Sequence, residues 1–145
     1  MGFTHGGSFV IMSAFDGVVL DVKKQRKTDG AKVISWNYNA EPHQIWMASC
    51  ENGGFRLTAS HITDDIKVLE QPSGAVKCII WQFHGGDHQL WNAFPVPSNP
   101  EVFFIQNVAS GMAIRNMGRG NPLECSAFNE HDPNLQWRIT PAHSM

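Results

Sequence analysis

The chain has 145 residues, a formal net charge of −2, 42% hydrophobic residues and 17% charged ones. That length suits one domain with a sizeable core. The near-neutral balance, with neither a global basic excess nor an acidic tail, argues against a charge-driven nucleic-acid binder, and no window approaches the roughly 18 consecutive apolar residues of a spanning helix.

The N-terminal stretch "MGFTHGGSFVIMSAFDG" lacks a basic leader followed by an apolar run. The expectation is a cytoplasmic protein without a signal peptide, released, if at all, without a leader. Phe9 to Met12 and Val18 to Val22 are β-branched or aromatic runs, as are Val33 to Trp36 and Gln44 to Met47, and each predicts a short strand. The basic run Lys23–Lys27 follows the strand that carries Asp21 and predicts a solvated hairpin loop. No long stretch keeps a helical apolar period, and 13 glycines and 8 prolines punctuate the whole length.

The first-lobe pattern recurs. Gln44-Ile-Trp46, Gln89-Leu-Trp91 and Asn134-Leu-Gln-Trp137 recur at nearly equal spacing. Upstream, "VISWNYN", "CIIWQFH" and "LECSAFN" stack in register, so Val33, Cys78 and Leu123 share one position and Tyr38, Phe83 and Phe128 another. The chain therefore reads as three copies over roughly 8–50, 51–97 and 98–142 within one domain, 1–145. One copy cannot bury its own apolar face. Three copies of about four strands can close around a shared core, which predicts an all-β barrel with pseudo-threefold symmetry.

The stretch "HGGDHQLW" (84–91) resembles a metal or catalytic cluster, but its repeats argue otherwise. Trp91 matches Trp46 and Trp137, so it belongs in the core. His88 matches His43 and Asn134, and His84 matches Asn39 and Asn129. An interchange of His with Asn suits hydrogen bonding rather than metal ligation, so no metal and no cofactor are expected. Gly-x-Ser-x-Gly, P-loop and HExxH patterns are all missing, and the expectation is a non-enzymatic protein. Cys50, Cys78 and Cys125 form no CxxC pair and read as reduced, mostly buried thiols.

Three copies of about 45 residues, each ending in Gln-x-Trp or a relic of it, resemble the ricin-B-type β-trefoil lectins. The middle copy, "CIIWQFHGGDHQLW", is similar to the fungal members. The resemblance implies a β-trefoil of three pseudo-symmetric four-stranded repeats. It also implies a carbohydrate-binding function toward terminal galactose or N-acetylgalactosamine on glycoproteins or glycolipids, in fungal defence, without membrane insertion. A homodimer is expected, because linked weak sites gain avidity.

A hexose site needs a carboxylate for adjacent hydroxyls, an amide-type group and an aromatic ring for the C–H face. In the first copy the resemblance assigns these roles to Asp21, Trp36, Asn39, His43 and Gln44, with His43 standing where the family usually has Asn. In the second copy the Asp position reads as Lys67, so a second site would use Trp81, His84 and His88 with Asp65 or Asp87 as a substitute acid. The third copy has Arg115, Ser126 and Leu135 at the Asp, Trp and Gln positions and is expected to be inactive. The competing reading is a β-trefoil protease inhibitor acting through the loops Gln71–Gly74 and Pro95–Pro100.

Overall fold

A computed structural model of the protein describes residues 2–144. Twelve strands form in chain order. The first lobe has β1 (Ser8–Ser13), β2 (Val19–Val22), β3 (Val33–Trp36) and β4 (Trp46–Glu51). The second has β5 (Gly54–Ala59), β6 (Lys67–Glu70), β7 (Ile79–Gln82) and β8 (Trp91–Val96), and the third has β9 (Asn99–Asn107), β10 (Ala113–Arg115), β11 (Glu124–Ser126) and β12 (Trp137–Pro141). The strands β1, β4, β5, β8, β9 and β12 pair antiparallel in that order, and β12 returns to β1. The six-stranded barrel is therefore closed and has no free edge. The remaining strands form three hairpins, β2–β3, β6–β7 and β10–β11, one per lobe. This is a β-trefoil.

The expected strand at Gln44–Met47 begins two residues later. Pro42–Gln44 is a 3₁₀ turn, and its equivalents are Asp87–Gln89 and Pro133–Leu135. Each turn delivers a tryptophan into the barrel. Trp46, Trp91 and Trp137 are fully buried, and each indole satisfies its one polar group on a hairpin carbonyl. The acceptors are Leu20 O at 3.2 Å, Leu69 O at 3.0 Å and Ile114 O at 3.0 Å.

The hairpins meet on the pseudo-threefold axis through a cyclic set of backbone bonds. Val33 N–H donates to Cys78 O, Cys78 N–H to Leu123 O and Leu123 N–H to Val33 O, at 3.2, 2.9 and 2.9 Å. All three side chains are buried. Cys78 and Cys125 lie beside this axis with their sulfurs 3.8 Å apart, and the contact together with burial pushes the Cys78 thiol up. Cys78 and Cys125 are buried, in line with mostly buried thiols, and Cys50 is exposed.

The indole bonds also fix which residues are equivalent. The residue after each acceptor carbonyl is Asp21, Glu70 and Arg115. The second-lobe counterpart of Asp21 is thus Glu70, not Lys67. From Phe9 to Asp21 is 12 residues, whereas from Phe55, its barrel equivalent, to Glu70 is 15. The loop between β5 and β6 is longer, and equal-length alignment slips by that difference.

Candidate functional site

Asp21 lies on β2, where its backbone pairs with Ile34 of β3. Its carboxylate is buried at the side and held from behind. Gln44 Nε2 donates to Asp21 Oδ2 at 2.8 Å, and His43 Nε2 lies 3.3 Å from the same oxygen. Both protein contacts fall on Oδ2; Oδ1 has no hydrogen-bond partner among the described residues, and Asp21, though buried, borders the adjoining recess. That recess has a volume of about 410 Å³; Asp21, Trp36, Asn39, Glu41 and His43 line it above Ile34. Burial raises the Asp21 carboxyl above its ordinary range, against the opposing pull of the Gln44 hydrogen bond and the nearby His43.

Gln44 is fully buried, and its amide is committed. Nε2 also donates to Asn37 O at 2.8 Å, and Oε1 accepts from Asn39 N–H at 2.8 Å. It has no atom left for a ligand: it satisfies the Asn37–Asn39 turn and holds Asp21, and although grouped with the first-lobe site it does not line the recess. His43 is buried as well, and Nδ1 has no hydrogen-bond partner in the interior. Asn39 is exposed and uses Oδ1 to accept from Glu41 N–H at 2.9 Å, which leaves its NH₂ free at the recess.

Trp36 is 43% exposed, although its β3 neighbours Val33, Ile34 and Ser35 are buried. A chain segment from the third lobe passes beside its ring. Gly120 has φ +87°, and a Cβ there would sit 3.6 Å from Trp36 Cζ3. Gly120 N–H donates to Ser35 O at 2.6 Å, and Ser35 N–H donates to Asn121 O at 3.1 Å. The first-lobe recess is therefore finished by the β10–β11 loop, which no reading of the first copy alone reveals.

In the second lobe Gln89 Nε2 donates to Glu70 Oε1 at 2.7 Å and to Gln82 O at 2.9 Å, repeating the Gln44 arrangement. Trp81 is 40% exposed and faces a Gly30 position much as Trp36 faces Gly120. His84 Nε2 lies 3.4 Å from Glu70 Oε1, so this imidazole stands where the first lobe has the Asn39 amide. His88 is half-buried with Nδ1 unpartnered. Asp65 and Asp87 do not take the acidic position. Asp65 is exposed and accepts from its neighbour Ile66 N–H at 2.8 Å, while Asp87 is exposed at the start of the 3₁₀ turn. A direct signal for Glu70 was available: Val19-Leu-Asp21 and Val68-Leu-Glu70 share a Val-Leu-acid pattern on the first strand of each hairpin.

The third lobe keeps the frame and inverts the charge. Arg115 Nε donates to Asp132 Oδ2 at 2.9 Å, and this bond draws the Asp132 carboxyl below its ordinary range. Ser126 and the buried Leu135 stand at the ring and amide positions. Of the two loops considered for protease binding, the first begins with a buried residue: Gln71 donates to Ala75 O at 3.0 Å and accepts from Ser110 Oγ at 2.6 Å. The second is divided between the end of β8 and the start of β9. Among the described residues no group of three His, Cys, Asp or Glu side chains could hold a metal ion.

A closed threefold barrel, with a carboxylate, an amide and an exposed indole around one recess in its first lobe, defines a β-trefoil. The chain belongs to the ricin-type β-trefoil lectin domain-like family, whose profile matches residues 2–76. No curated protein matches by sequence. Solved structures share the fold. The designed threefold-symmetric protein ThreeFoil is 23% identical with a TM-score of 0.81, over 92% of this chain and 98% of its own. The Macrolepiota procera ricin B-like lectin in complex with lactose is 14% identical with a TM-score of 0.77, over 97% and 99%. The protein SeviL, bound to asialo-GM1 saccharide, is 16% identical with a TM-score of 0.73, over 94% and 98%.

Proposed function

We propose that the protein is a non-enzymatic carbohydrate-binding protein whose first-lobe recess holds a terminal galactose or N-acetylgalactosamine. Asp21 Oδ1 accepts from sugar hydroxyls, the Asn39 amide donates to a neighbouring one, and Trp36 covers the C–H face. His43 and Gln44 act through Asp21 by fixing its rotamer. The observation that carries this reading is a carboxylate anchored on one oxygen and without a protein partner on the other, beside an exposed indole in a recess of about 410 Å³. Charge-assisted bonds to hydroxyls are the stronger kind, and anchoring Asp21 beforehand lowers the cost of ordering it on binding. The saccharides named with two fold neighbours, lactose and asialo-GM1, support the ligand class.

A recess this shallow binds one sugar at about millimolar affinity, a few kcal/mol. Agglutination or defence against glycan-bearing targets would then depend on several sites acting together, through Glu70 in the second lobe or through a homodimer. The test is retention on immobilised galactose. Wild type is expected to be retained and eluted by free galactose, and Asp21→Asn to flow through with an unchanged circular dichroism spectrum. Retention of Asp21→Asn equal to wild type would overturn the reading. Inhibition of papain or trypsin would move the protein to the competing class.

A further inference from the structure

The three hairpins carry the same frame but not the same loops. Asp21 lies 15 residues before Trp36, whereas Glu70 lies 11 before Trp81 and Arg115 lies 11 before Ser126. The extra length in the first lobe forms the basic run. Lys23–Gln25 is a tight 3₁₀ turn, and Lys23, Lys24 and Gln25 line the recess that holds Asp21 and Trp36. The solvated loop expected from sequence is thus part of the site wall.

The turn is built under strain and tied in place. Lys24 and Gln25 both have φ +56°, the left-handed region that costs a non-glycine residue of order 1 kcal/mol. Neither is Asn, Asp or Gly, the residues that would adopt it most easily. Three contacts hold the loop. Gln25 Nε2 donates to Glu41 Oε2 at 3.1 Å, Lys23 N–H donates to Lys32 O at 3.0 Å, and His61 Nε2 donates to Arg26 O at 2.8 Å. Burial draws the His61 imidazole below its usual range, against the opposing pull of the Arg26 carbonyl.

The two ammonium groups are left over. Among the described residues neither Lys23 nor Lys24 pairs with a carboxylate. Glu41 faces the Gln25 amide and the His43 ring, and Asp21 is engaged by His43 and Gln44. By contrast, the second-lobe lysine beside its hairpin, Lys67, is neutralised by Asp29 at 3.1 Å. The second-lobe loop from Gln71 to Val76 carries no lysine or arginine.

We propose that the first-lobe site takes a galactoside bearing an anionic substituent, a sulfate or a carboxylate, with Lys23 and Lys24 receiving the charge while Asp21 holds the hydroxyls. This rests on the galactoside reading above. An anion bound in the recess meets two lysines that line it, carried on a tethered turn and without a carboxylate partner among the described residues. Two partly exposed charge pairs are worth about five- to tenfold in affinity at low salt, and screening reduces that gain.

Calorimetric titration with three ligands tests it: lactose, lactose sulfated on galactose, and sialyllactose. At about 20 mM salt at least one acidic ligand is expected to bind wild type about five- to tenfold more tightly than lactose, with the ratio shrinking toward one at about 300 mM salt. The variant Lys23→Gln/Lys24→Asn removes both charges and keeps a residue that tolerates the left-handed backbone; its ratio is expected to fall to about one. Lys27→Gln, outside the recess lining, is expected to keep the wild-type ratio. A gain for the sulfate alone or for the sialic acid alone identifies the source of the anion. Measurable lactose binding with an acidic-to-neutral ratio near one in wild type overturns the proposal and leaves the galactoside reading standing. A ratio that survives Lys23→Gln/Lys24→Asn also overturns it. No binding of any of the three overturns the galactoside reading itself.

Discussion

The first and third lobes share a frame and differ in their chemistry. Trp46 and Trp137 are both fully buried, and both indoles donate to the matching hairpin carbonyl. Val33 and Leu123 occupy equivalent places in the cyclic bonds on the axis. Yet Asp21, Trp36 and Gln44 become Arg115, Ser126 and Leu135. The third lobe fills the vacated polar position with the Arg115–Asp132 pair and the vacated amide position with a buried leucine. The barrel and the site are thus held by different residues, and a lobe can lose its site without loosening the barrel. The second lobe lies between them, with acid, amide and indole present but with His84 set against the acid.

The largest expected effect tests the shared frame. Trp46→Ala and Trp137→Ala should each cost about 3–5 kcal/mol in urea denaturation, since both remove a fully buried indole. A Trp137→Ala cost below half that of Trp46→Ala would show that the lobes do not carry the core equally.

Next comes the carboxylate. Asp21→Asn should weaken galactoside affinity by about tenfold to a hundredfold, the worth of a charge-assisted hydrogen bond. Its effect on stability should run the other way. Because burial raises the folded-state pKa above the ordinary 3.8, this group's stabilising contribution is full below that pH and lost as pH rises through the folded value. Asp21→Asn should therefore be more stable than wild type at pH 7, and the difference should close as pH falls toward 3.8. Denaturation curves at several pH values read it. Galactoside binding by wild type should fall as pH drops through the same raised value.

Gln44→Leu copies the third lobe into the first. It should weaken binding about fivefold by freeing the Asp21 rotamer, with a smaller stability change than Trp46→Ala. An unchanged affinity would remove Gln44 from the positioning role. The smallest effect belongs to Arg115→Ala, which should leave galactoside binding unaltered. Its half-exposed ion pair is worth at most about 1 kcal/mol.

Much of this was legible in the primary structure. The recurring Gln-x-Trp, the stacked hairpin segments and the lack of helical periodicity are local patterns, and burial of an indole at a fixed interval forces them to repeat. Trp36 and Asn39 stand at the same offsets from Trp46 as Trp81 and His84 from Trp91, and both line the recess; the offset of Asp21 differs between lobes, so its place rested on the resemblance. Glu70 was missed because the loop before β6 is longer, and counting residues across a loop does not preserve register. Gln44 was grouped with the first-lobe site, and its place behind Asp21 depends on what packs over the 3₁₀ turn.

The amino-acid sequence by itself determined three equal units, an all-β barrel and one lobe with a full set of sugar-type side chains. Periodicity and residue chemistry are properties of a chain read one copy at a time. Only the tertiary structure decided that Gly120 of the third lobe finishes the first-lobe recess and that Lys23 and Lys24 face the same recess. Each of those facts is a contact between segments distant along the chain or a backbone angle set by its tethers, and neither is fixed until the barrel closes.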